Sequence, residues 1–292
     1  MHLPSEAISG PVCPVTAAVA ACGISAAIYF ACKSKTFPSA QKFALTTSAI
    51  FALQMLNVAI GDGISGHLIG GVLAAAVLGI PAGVLALGIV LVLQTLLFAD
   101  GGLDMLGANI LNMSIIGAGF GGFIRQYLIS KKLSENASTF AAAFVSVMAA
   151  AAALCVELSA GAKAGLWAAM LSTHALVGLL EGAITCALVW VLSKADNKSG
   201  AKSQTIVLGL IILASVAIAP LACAYPDALE WTMQKFSILP NSPNFTGAIF
   251  SDYSVSAISN GTLSLWVAAL SGIVLTGIFS YILCKAIRAK AA

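Results

Sequence analysis

The chain has 292 residues, of which 60% are hydrophobic and 9% charged, with a formal net charge of +3. A soluble globule carries about a quarter of its residues as charges, so this composition excludes one and indicates an integral membrane protein. The basic residues sort to the ends of apolar runs, so the small positive balance is a topology signal and points to no nucleic-acid partner.

The apolar runs recur at about the 20 residues that cross a 30 Å hydrocarbon core as helix, and lipid offers bare backbone no partner. The expected fold class is therefore an all-α polytopic membrane protein. The opening Met1-His2-Leu3-Pro4-Ser5-Glu6 has no Lys or Arg ahead of the first apolar run. It lacks the n-region of a cleavable signal peptide, so the amino terminus is expected to be kept.

Pro11 and Pro14 suit a first helical turn, and the run to Cys32 is followed at once by Lys33 and Lys35. The positive-inside rule makes that end cytoplasmic and puts residue 1 outside. A second span, 42–60, returns to an outer turn at Gly61-Asp62-Gly63. Residues 64–80 and 83–99 read as two crossings broken at Pro81, the shorter of which could instead be re-entrant.

The outer loop Asp100-Gly101-Gly102-Leu103-Asp104 leads into a span over 107–128. Within it Gly117-Ala118-Gly119-Phe120-Gly121-Gly122 matches G-x-G-x-x-G. No strand precedes it, so close helix packing through small residues explains it better than nucleotide binding. Spans over 139–158 and 166–193 complete seven helices, and two more, 205–224 and 263–284, follow a polar cytoplasmic linker. All fourteen Lys and Arg except Lys163 and Lys235 then lie on the inner side, with an outer amino terminus and a cytoplasmic carboxyl terminus. The domain division is 1–194, a linker at 195–203, and a two-helix region at 204–292 with an outer loop at 225–262. The seven cysteines are scattered singly and read as small core residues.

The chain has three histidines, and two of them, His2 and His67, are placed outside by the charge argument. Met1-His2 offers a transition ion the α-amine, the amide nitrogen of His2 if deprotonated, and the His2 imidazole, closing a five- and a six-membered ring in one plane. A fourth nitrogen from His67 would complete the square-planar N4 set that suits Ni(II) or Cu(II) better than tetrahedral Zn(II). Binding would release the amide proton, so affinity should fall in acid. The plainer alternative is that His2 is incidental and His67 packs in a core.

His174, Glu157 and Glu181 are ionisable groups within the spans, and His174 and Glu181 lie seven apart on one helix face. They could orient the site or carry protons, or simply pair between helices. Gln54, Asn57, Gln94, Asn109 and Asn112 are amides near outer helix ends that could position His67 and the amino-terminal segment.

These residues resemble a known family, the nickel and cobalt substrate-binding S components of energy-coupling factor transporters, NikM/CbiM. The resemblance rests on Met1-His2-Leu3-Pro4, on Gln54-Met55-x-Asn57 leading to Ser65-Gly66-His67-Leu68-x-Gly70-Gly71, and on Asp100-Gly101-Gly102-Leu103. It continues through Gly107-Ala108-Asn109-Ile110-Leu111-Asn112-Met113 and His174-Ala175-Leu176-Val177-Gly178 to Glu181-Gly182. It implies metal held by the Met1 amine, the His2 amide and imidazole and the His67 imidazole, with Ser65 in the motif that carries His67.

Tyr225-Pro226-Asp227-Ala228-Leu229-Glu230-Trp231 and Ser251-Asp252-Tyr253 resemble a PDGLE-type, NikN-like part fused behind it. The sequence departs from the family at Pro4-Ser5-Glu6, Asn57-Val58-Ala59 and Ala228.

The resemblance implies a non-enzymatic capture subunit in a prokaryotic cell membrane, taking Ni(II) or alternatively Co(II) as transported ligand, with no catalytic cofactor. It also implies a transmembrane T component and cytoplasmic ATPases as partners, since the chain has no P-loop. A metalloenzyme built on His174 and Glu181 lacks an H-E-x-x-H motif. A structural scaffold would bind no stoichiometric metal.

Overall fold

The computed structural model describes residues 1–158, 164–199, 201–241 and 244–291. Among these the chain is a helical bundle with one two-stranded hairpin. The helices are α1 Val12–Lys33, α2 Ala40–Gln54, α3 Gly71–Leu78, α4 Ile80–Leu93, α5 Leu106–Ser130, α6 Glu135–Leu158, α7 Leu166–Ser199, α8 Ala201–Ile218, α9 Ala228–Lys235 and α10 Gly261–Ala291. Seven segments are long and apolar enough to cross a membrane: α1, α4 with the turn that follows it, α5, α6, α7, α8 with its short extension, and α10. They carry large apolar side chains on the outside, such as Leu213 at 64% and Ile282 at 61% exposure, as a lipid-facing surface requires.

The second and third expected spans differ from the expectation. α2 has 15 residues and α3 only 8, so at about 1.5 Å per residue neither reaches across a bilayer. Both are enclosed by other helices, with ten of the fifteen α2 residues buried, and the apolarity that suggested lipid contact serves the protein interior. The break falls at Gly79 (φ 87°), and Pro81 sits in the first turn of α4, where its missing N–H costs nothing.

Residues 58–66, expected as the end of one span and the start of the next, are instead an antiparallel hairpin. β1 Val58–Gly61 pairs with β2 Ile64–Gly66. β-branched Val58, Ile60 and Ile64 flank a turn in which Gly63 takes φ 72°, a combination that favours a hairpin over helix.

The glycines of α5 serve packing. A Cβ on Gly71 would lie 2.4 Å from the Gly117 carbonyl carbon, and one on Gly121 would lie 2.7 Å from Val72. α3 therefore rests directly on the α5 backbone, as the small-residue pattern predicts. The middle of α5, Ile110–Phe120, is π-helical, and a second π-helical turn, Gln94–Phe98, ends α4. That wide turn, closed by the Asp100 N–H donating to the Gln94 carbonyl at 3.1 Å, brings both residues to one end of the bundle.

The helices on either side of the expected linker run to Ser199 and from Ala201, and Gly200 lies outside the described residues, as does Lys163. α10 packs along α2, α8 against α2 and α7, and α9 against α7. The amino terminus, the hairpin, the loop after α4 and residues 223–258 meet at one end of the bundle. Pro38, accepting from Arg288, marks the other. The seven cysteines are all free.

Candidate metal centre

The first residues fold inward rather than trailing. Leu3 is fully buried and Met1 is 4% exposed. Asn109 clamps Leu3 as a peptide would: its Oδ1 accepts the Leu3 N–H at 2.8 Å and its Nδ2 donates to the Leu3 carbonyl at 3.3 Å. That carbonyl also accepts from the Gly102 N–H at 2.9 Å. Gly102 is obligatory here, since a Cβ would stand 2.5 Å from the Ser5 backbone. Ser5 and Glu6 are tied by their N–H groups to Asn244 and Asp104.

The clamp carries the α-amine to His67, 2.7 Å from its Nε2. Two nitrogens bound side by side to one transition ion, each about 2.0 Å from it, stand about 2.8 Å apart. The pair is thus spaced as neighbouring ligands. His67 Nδ1 lies 3.1 Å from the Leu68 carbonyl, which can only accept, so Nδ1 carries a proton and Nε2 is the nitrogen turned to the amine.

The loop behind His67 is held from three sides. Glu181 accepts the N–H groups of Ile69 and Gly70 at 2.7 and 2.9 Å, fixing the two residues that lead into α3. Gln54 Nε2 donates to the Ile69 carbonyl at 2.7 Å. Ser65 Oγ donates to the Tyr225 carbonyl at 2.7 Å, and its N–H to the Pro226 carbonyl at 2.9 Å.

The His2 ring stacks on His67 with centroids 5.5 Å apart. Its Nδ1 faces Asp100 Oδ1 at 3.2 Å, and its Nε2 faces Gln94 Oε1 at 3.1 Å. Tyr253 closes the ring of contacts, donating to Asp100 Oδ2 at 2.7 Å and accepting from Gln94 Nε2 at 3.3 Å. Burial pushes the His2 imidazole down to about 4 against the pull of Asp100, with the α-ammonium and His67 adding to the effect of burial. At neutral pH the ring is uncharged, with one N–H to share between two acceptors, and the other nitrogen presents a lone pair.

Sequence reasoning missed Asp227 as a site residue. Its Oδ2 pairs with the α-ammonium and lies 3.6 Å from His67 Nε2. Burial works to raise this carboxyl, but the α-ammonium and His67 outweigh it and hold Asp227 well below the usual carboxylate range. The available signal was its place in the Pro226-Asp227-Ala228-Leu229-Glu230 segment, which gave no hint of distance to residue 1.

The other expected residues divide. Asn57 lends its carbonyl to the Cys223 N–H at 2.8 Å, and its Oδ1, like Gln54 Oε1, is buried without a hydrogen-bond partner beside a cavity of about 360 Å³. Both line that cavity together with His2, His67, Asp100 and Asp227. Asn112 is bonded to Glu157 at 2.7 Å, bracing α5 on α6. His174 donates from Nδ1 to the Met170 carbonyl at 2.8 Å and borders a small void shared with Met1, His67 and Asp227. It and Glu181 thus have separate partners. Among the described residues no three His, Cys, Asp or Glu side chains converge as a metal cage.

Residues 2–199 match the family described as the cobalt uptake substrate-specific transmembrane region, CbiM. The chain is 31% identical over 261 residues to the "Putative fused nickel transport protein NikMN" of Archaeoglobus fulgidus, covering 84% of this chain and 86% of that one. It is 32% identical over 162 residues to the "Cobalt transport protein CbiM" of Streptococcus sanguinis, covering 52% and 66%. A solved structure described as a transition metal transporter superposes with a TM-score of 0.61 at 30% identity, covering 68% of this chain and 95% of that one. The first of these likenesses is longer than the matched region, and the relatives are named as transport proteins rather than enzymes. The chain is a multi-pass membrane protein that belongs to the CbiM family, the nickel and cobalt transport proteins of the CbiM/NikM type, with a NikN-like part fused behind it.

Proposed function

We propose that the chain is the capture subunit of an energy-coupling factor importer and takes up Ni(II) at the outer face in a square-planar set of four nitrogens. The ligands are the Met1 amine, the His2 amide, the His2 imidazole and His67 Nε2. One observation carries this reading: the amine stands 2.7 Å from His67 Nε2, the spacing of adjacent ligands, while His67 Nδ1 is turned away to the Leu68 carbonyl. In this set His67 is opposite the His2 amide and beside the amine, as that spacing requires. Closure needs His2 Nδ1 to turn from Asp100 toward the ion.

Nickel is favoured over cobalt because planarity suits it and because the relatives similar over more than four-fifths of this chain are named as fused nickel transport proteins. We take residues 1–194 as the S component, 195–203 as the linker and 204–292 as the NikN-like part. A T component and cytoplasmic ATPases supply energy, in keeping with the family resemblance.

The test is metal stoichiometry on protein purified through a carboxyl-terminal tag, comparing the native terminus with Gly-Ser added before Met1. One Ni(II) in the native form and none in the extended form is the expected result. Equal binding by both removes the amine from the ligand set, and a preference for Co(II) reassigns the cargo.

A further inference from the structure

We infer that Asp227 Oδ2, together with the Met1 amine and His67 Nε2, forms a first-contact site that holds a partly hydrated divalent transition ion before His2 closes the chelate. This rests on the nitrogen-site reading above and adds to it an oxygen ligand from the second part of the chain. The three donor atoms sit close enough, with His67 Nε2 at 2.7 Å from the amine and 3.6 Å from Oδ2, that one ion can stand about 2.0–2.2 Å from all of them. Those are the lengths of ordinary bonds to nitrogen and carboxylate oxygen.

Asp227 is aimed rather than incidental. Residues 223–227 pair with the hairpin through the Cys223 N–H on the Asn57 carbonyl and the Ser65 N–H on the Pro226 carbonyl. Oδ1 is spent capping α9 by accepting the Glu230 N–H at 2.8 Å, which leaves Oδ2 toward the amine. His2, meanwhile, has its ring nitrogens facing Asp100 and Gln94, with its one N–H shared between them. His2, His67 and Asp227 all line the cavity of about 360 Å³, so the order of contact rests on His2 Nδ1 facing Asp100 while His67 Nε2 and Asp227 Oδ2 already stand together at the amine.

On binding, the ammonium gives one proton to water and Asp227 exchanges its contact with the amine for one with the ion. Water fills the remaining positions. The His2 amide, giving its proton to water, and the His2 ring nitrogen then replace water and the carboxylate, and the site becomes planar.

The experiment uses the full chain with its native terminus and Ni(II) or Co(II) as probe, followed by stopped-flow absorbance and titration. Asp227→Asn keeps the cap on Glu230 and the side-chain shape. It is expected to slow metal association about tenfold or more while leaving the final planar Ni(II) spectrum unchanged. His2→Ala is expected to retain one weakly held ion with the spectrum of a non-planar mixed site. Adding Asp227→Asn to it is expected to lower that affinity by more than the 10–100-fold that loss of an outer-shell partner causes.

If the association rate and the binding of the His2→Ala form are both indifferent to Asp227→Asn, the inference is overturned. Ser65→Ala loosens the same loop without touching the carboxylate, and an effect as large as that of Asp227→Asn in the His2→Ala background would likewise overturn it by assigning the loss to docking. Unchanged affinity in His2→Ala alone would sink the four-nitrogen reading and leave the carboxylate site standing.

Discussion

Asn109, Glu181 and His2 show how single side chains set this end of the molecule. Asn109 substitutes for a neighbouring peptide and pins Leu3 from both sides, and Glu181 does the same for the amides behind His67. Residue 1 and residue 67 are thereby fixed by groups outside the proposed ligand set. His2 is held neutral by burial, which gives a pH signature. Its value is lowered to about 4 from 6.5, so the unfolded segment binds a proton more readily than the docked one. Docking then weakens as pH falls through that window, by at most about 1.4 kcal/mol per unit, and below it no further loss comes from this group. Hydrogen exchange at the Leu3 amide, corrected for its intrinsic rate, should show protection falling from pH 6.5 to 4. Flat protection would contradict a buried neutral His2.

At the scale of elements, α3 is the one whose position the glycines decide. A single methyl group on Gly71 has nowhere to go, being 2.4 Å from backbone. Gly71→Ala should therefore push α3 off α5 at a cost of about 1–3 kcal/mol, lowering the thermal midpoint in detergent. Gly209, in α8, has no atom within 4 Å of an added Cβ. Gly209→Ala should leave the midpoint unchanged or raise it, since helix propensity favours Ala by up to about 1 kcal/mol. An equal fall in both variants would mean that backbone approach is not what α3 depends on. The π-helical turn at Gln94–Phe98 matters for a different reason, since it sets Gln94 and Asp100 around the His2 ring.

Across the whole molecule, the second part is joined to the first where the site is, not only through the bundle. Phe98 is fully buried and stacks on Tyr253 at a centroid distance of 4.7 Å, with Phe51 and Phe250 at 5.3 and 5.4 Å. Asp252 and Tyr253 both take positive φ (52° and 54°), strain that this aromatic cluster offsets. Phe98→Ala should cost about 3–5 kcal/mol and release the loop around Tyr253, read as faster proteolysis within 244–258. A loop as resistant as in the parent would show that the aromatic cluster does not anchor it.

The sequence by itself determined the membrane class, the approximate positions of the long helices and the nitrogen donors of interest. Each of these is encoded locally, in hydropathy over about 20 residues or in the chemistry of one dipeptide. Burial of α2 and α3 was not legible, because a helix enclosed by protein and one facing lipid are equally apolar. The 58–66 hairpin was hidden for a related reason, its β-branched residues extending an apolar run. Only the tertiary structure decided that Asp227 meets residue 1 across 226 positions of chain and that Asp100 and Tyr253 surround His2. Such contacts depend on how loops from distant helices converge, and no local pattern of residues specifies that convergence.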